Sequence, residues 1–579
     1  MSKYRDTYCG KIDESYIGKE VTTAGWIANI RDHGGVIFLD LRDENGIIQL
    51  VSNDDKMFEG ITKESSVTVK GTIRKRDEDD YNNHIATGTI ELLVSSIEVL
   101  GKAPNELPFE VITSTNVSEE VRLKYRYLDL RNEKVRNNIN LRAKVLKYLR
   151  DKMDSLGFTE VQTPIITASS PEGARDFIIP SRKFHGKFYA LPQAPQVFKE
   201  ILMVSGFDKY YQIAPCFRDE DSRSDRTLEF YQLDFEMAFV EEEDVYKIGE
   251  EIFYDTFTKF SDKEVSKAPF RRIPYRESML KYGTDKPDLR NPLEIIDISE
   301  VFTDSDFKPF RGAVVRGIKV DDIGDKSNSW FNELVDYASS IGMPGIGYIT
   351  LLSDGTFKGP IDKFLTDEDR KSLIEKTNLK ENGVLFFIAD KKEKKAAKNA
   401  GMIRDELGRK LDLIDPNKFE FCIINDIPMY EYDEEEDKYD FAHNPFSMPH
   451  GGIKAFDTDN VEDILAYQFD FVCNGNEMSS GAVRNYDLDS LEKAFKIVGY
   501  DKSVLETRFK SLYNAFQYGV PPHAGMAPGI DRIIMLLQDE PNLREVQAFP
   551  ASTSGQDLMM GSPSEVSEQQ LREVHIKIR

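Results

Sequence analysis

Residues Tyr210–Glu236 read YYQIAPCFRDEDSRSDRTLEFYQLDFE, and how this stretch is interpreted decides the fold. Two apolar runs, Tyr210–Cys216 and Phe230–Phe235, predict neighbouring strands joined by a charged connection from Phe217 to beyond Arg226. A hairpin closes with about two to five loop residues, so a longer connection crowded with Arg and Asp has room for a second task. Arg218, leaving a strand end, can grip a phosphate through two parallel hydrogen bonds. Glu220 can accept from a purine and Phe230 can stack on one. A solvated surface hairpin would carry the same residues, so the decision falls to the rest of the chain.

Toward the C-terminus, Tyr467–Cys473 predicts a strand, followed by Asn474-Gly475 and then Glu477 through Arg484. Asp470 and Glu477 form the kind of carboxylate pair that holds Mg²⁺ against phosphates with few protein ligands. Farther on, Pro521–Gly529 is rich in small residues and leads through Ile530-Asp531-Arg532 into the apolar helix Ile533–Leu537. Small residues before a helix let backbone N–H groups and Arg532 approach an anion.

Upstream, apolar positions Ile139, Val145, Leu146, Leu149 and Met153 predict a helix over Arg136–Ser155, ended by Gly157. The extended segment Phe158–Ile166 is interrupted by Pro164, which belongs at an edge or contact surface. The loop Ser169–Phe177 sets Glu172 between Pro171 and Gly173, either as a lid over a substrate or as a plain surface turn. Gln193–Lys199 opens a helix with Pro195 in its first turn, placing Gln196 and Lys199 on one face. Residues 286–411 read as a separate mixed α/β module, after which the strand Phe419–Ile424 resumes the main domain. The acidic run Tyr432–Asp440 leads to His443.

Near the N-terminus, Val21–Ile27, Val36–Leu41, Ile47–Val51, Ser66–Ile73 and Ile90–Val99 predict five short strands, which suit an OB-type barrel. Arg31, Phe38 and Gln49 would offer it a cation, a stacking face and a base-reading amide, unless Phe38 is simply core. Ala103–Thr115 reads as a linker leaving the barrel.

The 579 residues exceed a single core. No apolar run reaches the roughly 20 residues of a bilayer span, and the first residues lack a signal-peptide core, so a cytosolic location is expected. Cys9, Cys216, Cys422 and Cys473 are scattered, arguing against disulfides and structural zinc. The net charge of −25 leaves room for a basic nucleic-acid face on one domain.

Taken together, these residues resemble the bacterial-type aspartyl-tRNA synthetases of class II over essentially the whole chain. Gly157–Pro164 is similar to motif 1, Phe217–Glu220 with Phe230–Asp234 to motif 2, and Gly529–Arg532 to motif 3. The resemblance implies a multidomain α+β architecture: an OB-fold anticodon-binding domain (1–107), a hinge (108–135), and an antiparallel catalytic sheet flanked by helices (136–285 and 412–579). An inserted α/β domain (286–411) interrupts the catalytic sheet. It also implies a homodimer, with ATP and L-aspartate as substrates, Mg²⁺ as cofactor and tRNA(Asp) as acceptor.

By the same resemblance, Arg218 and Arg532 are catalytic and hold the α- and γ-phosphates. Asp219, Glu220, Thr227, Phe230, Glu477, Gly529, Ile530 and Asp531 complete the ATP site, and Asp470 with Glu477 carries Mg²⁺. Lys199 and Arg484 would bind the aspartate side chain, with Glu172, Gln196, Arg218, Asp234 and His443 around the rest of it. Arg31, Phe38, Gln49 and Glu91 would meet the anticodon. Thr227 and Asn444 depart from the family pattern, in which many members carry Gln and a second His. His33 stands where members restricted to tRNA(Asp) have Leu, and with the less clearly matched marker at Asp79 it implies charging of tRNA(Asn) as well. A strictly tRNA(Asp)-specific enzyme, an asparaginyl or lysyl relative, and a single-stranded nucleic-acid-binding protein with a relic catalytic half are the alternatives.

Overall fold

The computed structural model describes residues 2–33, 36–169, 174–433 and 437–579, without the side chains of His33, Val36 and Asp55. The chain forms two compact units, Met1–Glu133 and Lys134–Arg579.

In the first unit, strands Glu20–His33, Val36–Arg42, Ile47–Val51, Ser66–Lys75 and Ile90–Gly101 close into a barrel, in the order first–second–third–fifth–fourth. Alternation sends Leu39, Leu41, Ile48, Leu50 and Leu92 into the barrel core and the intervening residues outward. The first strand runs on to His33 instead of stopping at Ile27. A register shift between Ile27 and Asn29 re-aims the strand so that its polar end pairs with the second. The stretch expected to be a linker is ordered: Phe109, Val111 and Leu128 form a small apolar cluster, and Asp129 is fully buried between Arg122 and Arg126.

The second unit is built on an eight-stranded sheet. Its order is Arg271–Pro274, Phe421–Asn425, Gln468–Cys473, Asn476–Val483, His523–Met526, Glu229–Ala238, Lys209–Phe217 and Thr159–Glu160. The two outermost pairs are parallel and the inner ones antiparallel. Leu233, Phe235, Phe469 and Phe471 point to one face, where the helices Glu133–Ser155, Glu242–Phe260 and Ile530–Leu537 cover them with Leu149, Phe253 and Ile533. The alternate residues Gln232, Asp234, Glu236, Gln468 and Asp470 therefore share the opposite face.

Arg271–Pro274 and Phe421–Asn425 are sheet neighbours, so the chain between them is an excursion from the sheet. It contains an antiparallel five-stranded sheet spanning Ile295–Asp390. The helices Asn328–Ser340 and Glu393–Lys410 contribute Phe331, Leu334 and Ile403 to its core. Among the described residues no helix is long and apolar enough to cross a membrane.

Candidate active site

The opening stretch forms Lys209–Phe217 and Glu229–Ala238, paired so that Phe230 lies opposite Cys216 and Asp234 opposite Gln212. Over the polar face of the sheet lies a cleft of ≈410 Å³, lined at one end by Arg218, Glu220, Phe230 and Arg532, and at the other by Gln196, Lys199, Asp234 and Arg484. His443 also lines it.

At the first end, the Arg218 guanidinium sits 5.0 Å from the centre of the Phe230 ring, and its Nε is buried without a hydrogen-bond partner. Arg226 pairs with Glu220 at 3.3 Å. Arg532 Nη1 donates to the Glu477 carbonyl at 2.5 Å and lies 3.7 Å from its carboxylate, with Asp225 at 3.8 Å on the other side. Two arginines thus face one space from different elements, an arrangement suited to a polyanion. Gly529 precedes the helix Ile530–Leu537. Asp531 accepts from Arg142 and from the Tyr231 N–H, fastening that helix to the sheet, while Ile530 is buried in the core. Asp219 accepts through its backbone oxygen from Arg175.

At the second end the charges are paired. Lys199 Nζ lies 2.7 Å from Asp234 and 3.2 Å from Glu236, and Arg484 grips Glu236 through two hydrogen bonds of 2.8 and 3.0 Å. All four side chains are buried. Burial would raise the Glu236 carboxyl, but Arg484 and Lys199 hold it down to about 2. For Asp234 burial wins and the pKa rises, and its Oδ2 has no hydrogen-bond partner. That oxygen is an unused acceptor at this end of the cleft. Gly525 makes room for the network, because a Cβ there would sit 2.3 Å from Glu236 Oε2.

Asp470 and Glu477 share a donor, Ser480 Oγ, at 2.5 and 3.1 Å. Burial and the Glu477 charge push Asp470 up to about 6. Against burial, Arg532 and Lys286 hold Glu477 down to about 2, with Lys286 Nζ 3.1 Å away. Asp470 Oδ2 is buried without a partner. A hard divalent cation fits this donor set, since it would satisfy the orphaned oxygen and relieve the carboxylate repulsion.

Glu236, Ser480 and Lys286 escaped sequence reasoning. Glu236 was legible, since it lies two residues beyond Asp234 on the same face; Lys286 reaches Glu477 only through the chain path that leads into the excursion. The two departures have local roles. Thr227 Oγ1 donates to the Glu229 carbonyl at 2.7 Å, and Asn444 Oδ1 accepts from the Phe446 N–H at 2.9 Å, fixing the turn after His443. Glu172 and the side chain of His33 lie outside the described residues. Asp79 is exposed on a short helical turn.

On the barrel, Arg31, Phe38 and Gln49 share the outer face. Phe38 is half-buried and opposite Arg31, so it is not core. Arg31 bonds Asp40 at 2.8 and 2.9 Å and Gln49 Oε1 at 2.9 Å. Gln49 Nε2 bonds Glu91 at 2.8 Å, and Arg74 bonds Glu91 at 2.6 Å.

Residues 118–553 match the family model of class II tRNA synthetases (D, K and N), and residues 21–100 match the OB-fold nucleic acid binding domain. The chain belongs to this class II tRNA synthetase family. It is 51% identical over 600 residues to the "Aspartate--tRNA(Asp/Asn) ligase" of a Wolbachia strain of Drosophila simulans, covering 100% of both chains. It is 50% identical to the protein of the same name from Rickettsia conorii, covering 100% of this chain and 98% of that one.

Among solved structures, the asparaginyl-tRNA synthetase of Pyrococcus horikoshii complexed with asparaginyl-adenylate superposes with a TM-score of 0.57 at 19% identity, covering 95% and 98% of the two chains. The aspartyl-tRNA synthetase of Entamoeba histolytica gives 0.55 at 18% identity, covering 93% and 89%. At such identities these two establish the fold.

Proposed function

We propose that the protein is an aspartate–tRNA ligase that activates L-aspartate with ATP and charges both tRNA(Asp) and tRNA(Asn). The observation that carries this reading is full-length identity of about one half to ligases named for both tRNAs. The cleft supports it, because arginines at one end suit a triphosphate and the paired cations at the other suit a dicarboxylate.

In the first step an α-carboxylate oxygen of aspartate attacks the α-phosphorus, the bond to the β-phosphate oxygen breaks, and pyrophosphate leaves. Two anions must meet, so catalysis is neutralisation and alignment. Arg218 and Arg532 supply charge around the phosphates, and Phe230 offers a ring face to the base. Asp470 and Glu477 would hold Mg²⁺, which when bound offsets phosphate charge. Asp234 Oδ2 accepts from the substrate ammonium, with Gln196 beside it. A terminal hydroxyl of tRNA then attacks the activated carbonyl and AMP departs.

Two bare cations at Lys199 and Arg484 would reject asparagine by leaving their charge uncompensated. The structure changes that account, because Lys199 and Arg484 already have carboxylate partners. What they present to a side chain is donors only. A carboxylate accepts from both, whereas an amide must turn its NH₂ toward one of them. Leaving such a pair unsatisfied costs about 1–3 kcal/mol, on the order of 10–100-fold.

The protein acts as a cytosolic homodimer, with Pro164 at the subunit contact and the outer face of the barrel reading the anticodon through Arg31, Phe38, Gln49 and Glu91. His33 and Asp79 bear on the choice between the two tRNAs. Aminoacylation of a tRNA(Asn) transcript with labelled aspartate tests that choice: charging well above background is expected, and charging of tRNA(Asp) alone would restrict the enzyme to one tRNA.

A further inference from the structure

Below the amino-acid end of the cleft lies a second charged pair that the mechanism above leaves unused. Glu200 and His523 are both completely buried, with His523 Nε2 3.2 Å from Glu200 Oε2. His523 Nδ1 lies 2.8 Å from the Pro521 carbonyl oxygen. Both ring nitrogens therefore face acceptors, and a neutral imidazole has only one N–H to offer. An imidazolium donating from both nitrogens, to the Pro521 carbonyl and to the Glu200 carboxylate, satisfies both contacts. Burial lowers the His523 pKa, but the Glu200 hydrogen bond and charge outweigh it, and the net shift is upward. The Phe516 ring packs edge-on against the imidazole at 5.8 Å, and the Tyr486 ring lies 6.4 Å away.

The other oxygen of Glu200 is committed as well. Gln196, one helical turn earlier on the same face, donates Nε2 to Glu200 Oε1 at 2.6 Å. An ionised carboxylate can only accept, so it dictates which way the Gln196 amide turns. Nε2 is held inward, and Oε1 is left for the cleft that Gln196 lines. Neither Arg484 nor Lys199 could impose this orientation, since both bring only donors.

We propose that the Glu200–His523 ion pair is a positioning device for amino-acid recognition, fixing the Gln196 amide with its oxygen toward the substrate ammonium group. The proposal rests on the reading that aspartate occupies this end of the cleft. Glu200 acts through Gln196 and touches no substrate. A buried carboxylate alone would be too costly to keep ionised, and His523 supplies the compensating charge.

Glu200→Gln keeps the shape of the side chain but lets the Gln196 amide point either way. In ATP–pyrophosphate exchange, its KM for aspartate should rise about tenfold, the worth of one charge-assisted hydrogen bond, with kcat and the KM for ATP nearly unchanged. Succinate, which has both carboxylates and no ammonium, should inhibit the wild type and Glu200→Gln with inhibition constants equal within about twofold. An unchanged KM for aspartate overturns the proposal. So does equal weakening of aspartate and succinate, because a merely structural role predicts it. If Glu200→Gln does not fold, the double variant Glu200→Gln/His523→Gln, which buries no charge, carries the same expectations and the same contrary outcomes. Absence of aspartate-dependent exchange in the wild type would instead overturn the assignment of the cleft, and this proposal with it.

Discussion

Asp470 is the residue whose chemistry is most exposed to test. Its carboxyl is pushed up to about 6 by burial and by Glu477, so it is protonated below that pH and charged above it. Protons and a divalent cation compete for the same oxygen. Mn²⁺ or Mg²⁺ titrated into the protein should bind about tenfold more weakly at pH 5 than at pH 7.5, with protons released on binding near pH 6. Affinity independent of pH would remove Asp470 from the cation site.

At this scale the sequence was informative where a residue's partner is local or its face follows from alternation, as for Asp234 in a strand with period two. It was silent where the partner comes from a distant element. The pairing of Arg484 with Glu236 and of His523 with Glu200 depends on tertiary register, and no spacing along the chain predicts either.

Among the elements, the barrel strands carry the clearest division of labour. Their inward residues build the core, and their outward ones form the chain Asp40–Arg31–Gln49–Glu91–Arg74. These hydrogen bonds fix the Gln49 amide; on the proposed reading that it meets a base edge, Gln49→Ala should raise the KM for tRNA about tenfold, the lower part of the worth of a bidentate base contact. ATP–pyrophosphate exchange should not change, because it needs no tRNA. A loss of exchange activity would show that the substitution had damaged more than base reading. Strand positions were legible from apolar alternation and Gly-rich turns, whereas the full length of Glu20–His33 was not, because a bulge lets a polar segment remain in the ladder. Likewise, residues after Ala103 read as a linker from their prolines, yet buried ion pairs at Asp129 give them order.

For the whole molecule, the sheet order explains why residues far apart in sequence meet in one cleft. The two strands of Tyr210–Glu236, the strand bearing Asp470 and the strand ending near Arg484 belong to one sheet, and the helix bearing Arg532 packs on it, although the chain visits them in separate passages. That convergence was readable only through the family resemblance, since composition and periodicity say which residues form strands and not which strands are neighbours. It turns a charged hairpin into one wall of a cleft with arginines, unpaired or lightly paired among the described residues, at one end and carboxylate-paired cations at the other. The most direct test of this account is ATP–pyrophosphate exchange with aspartate, asparagine and lysine as separate substrates. The account predicts exchange with aspartate and exchange on the order of 10²-fold weaker with asparagine; exchange supported by asparagine or lysine in preference to aspartate would contradict it.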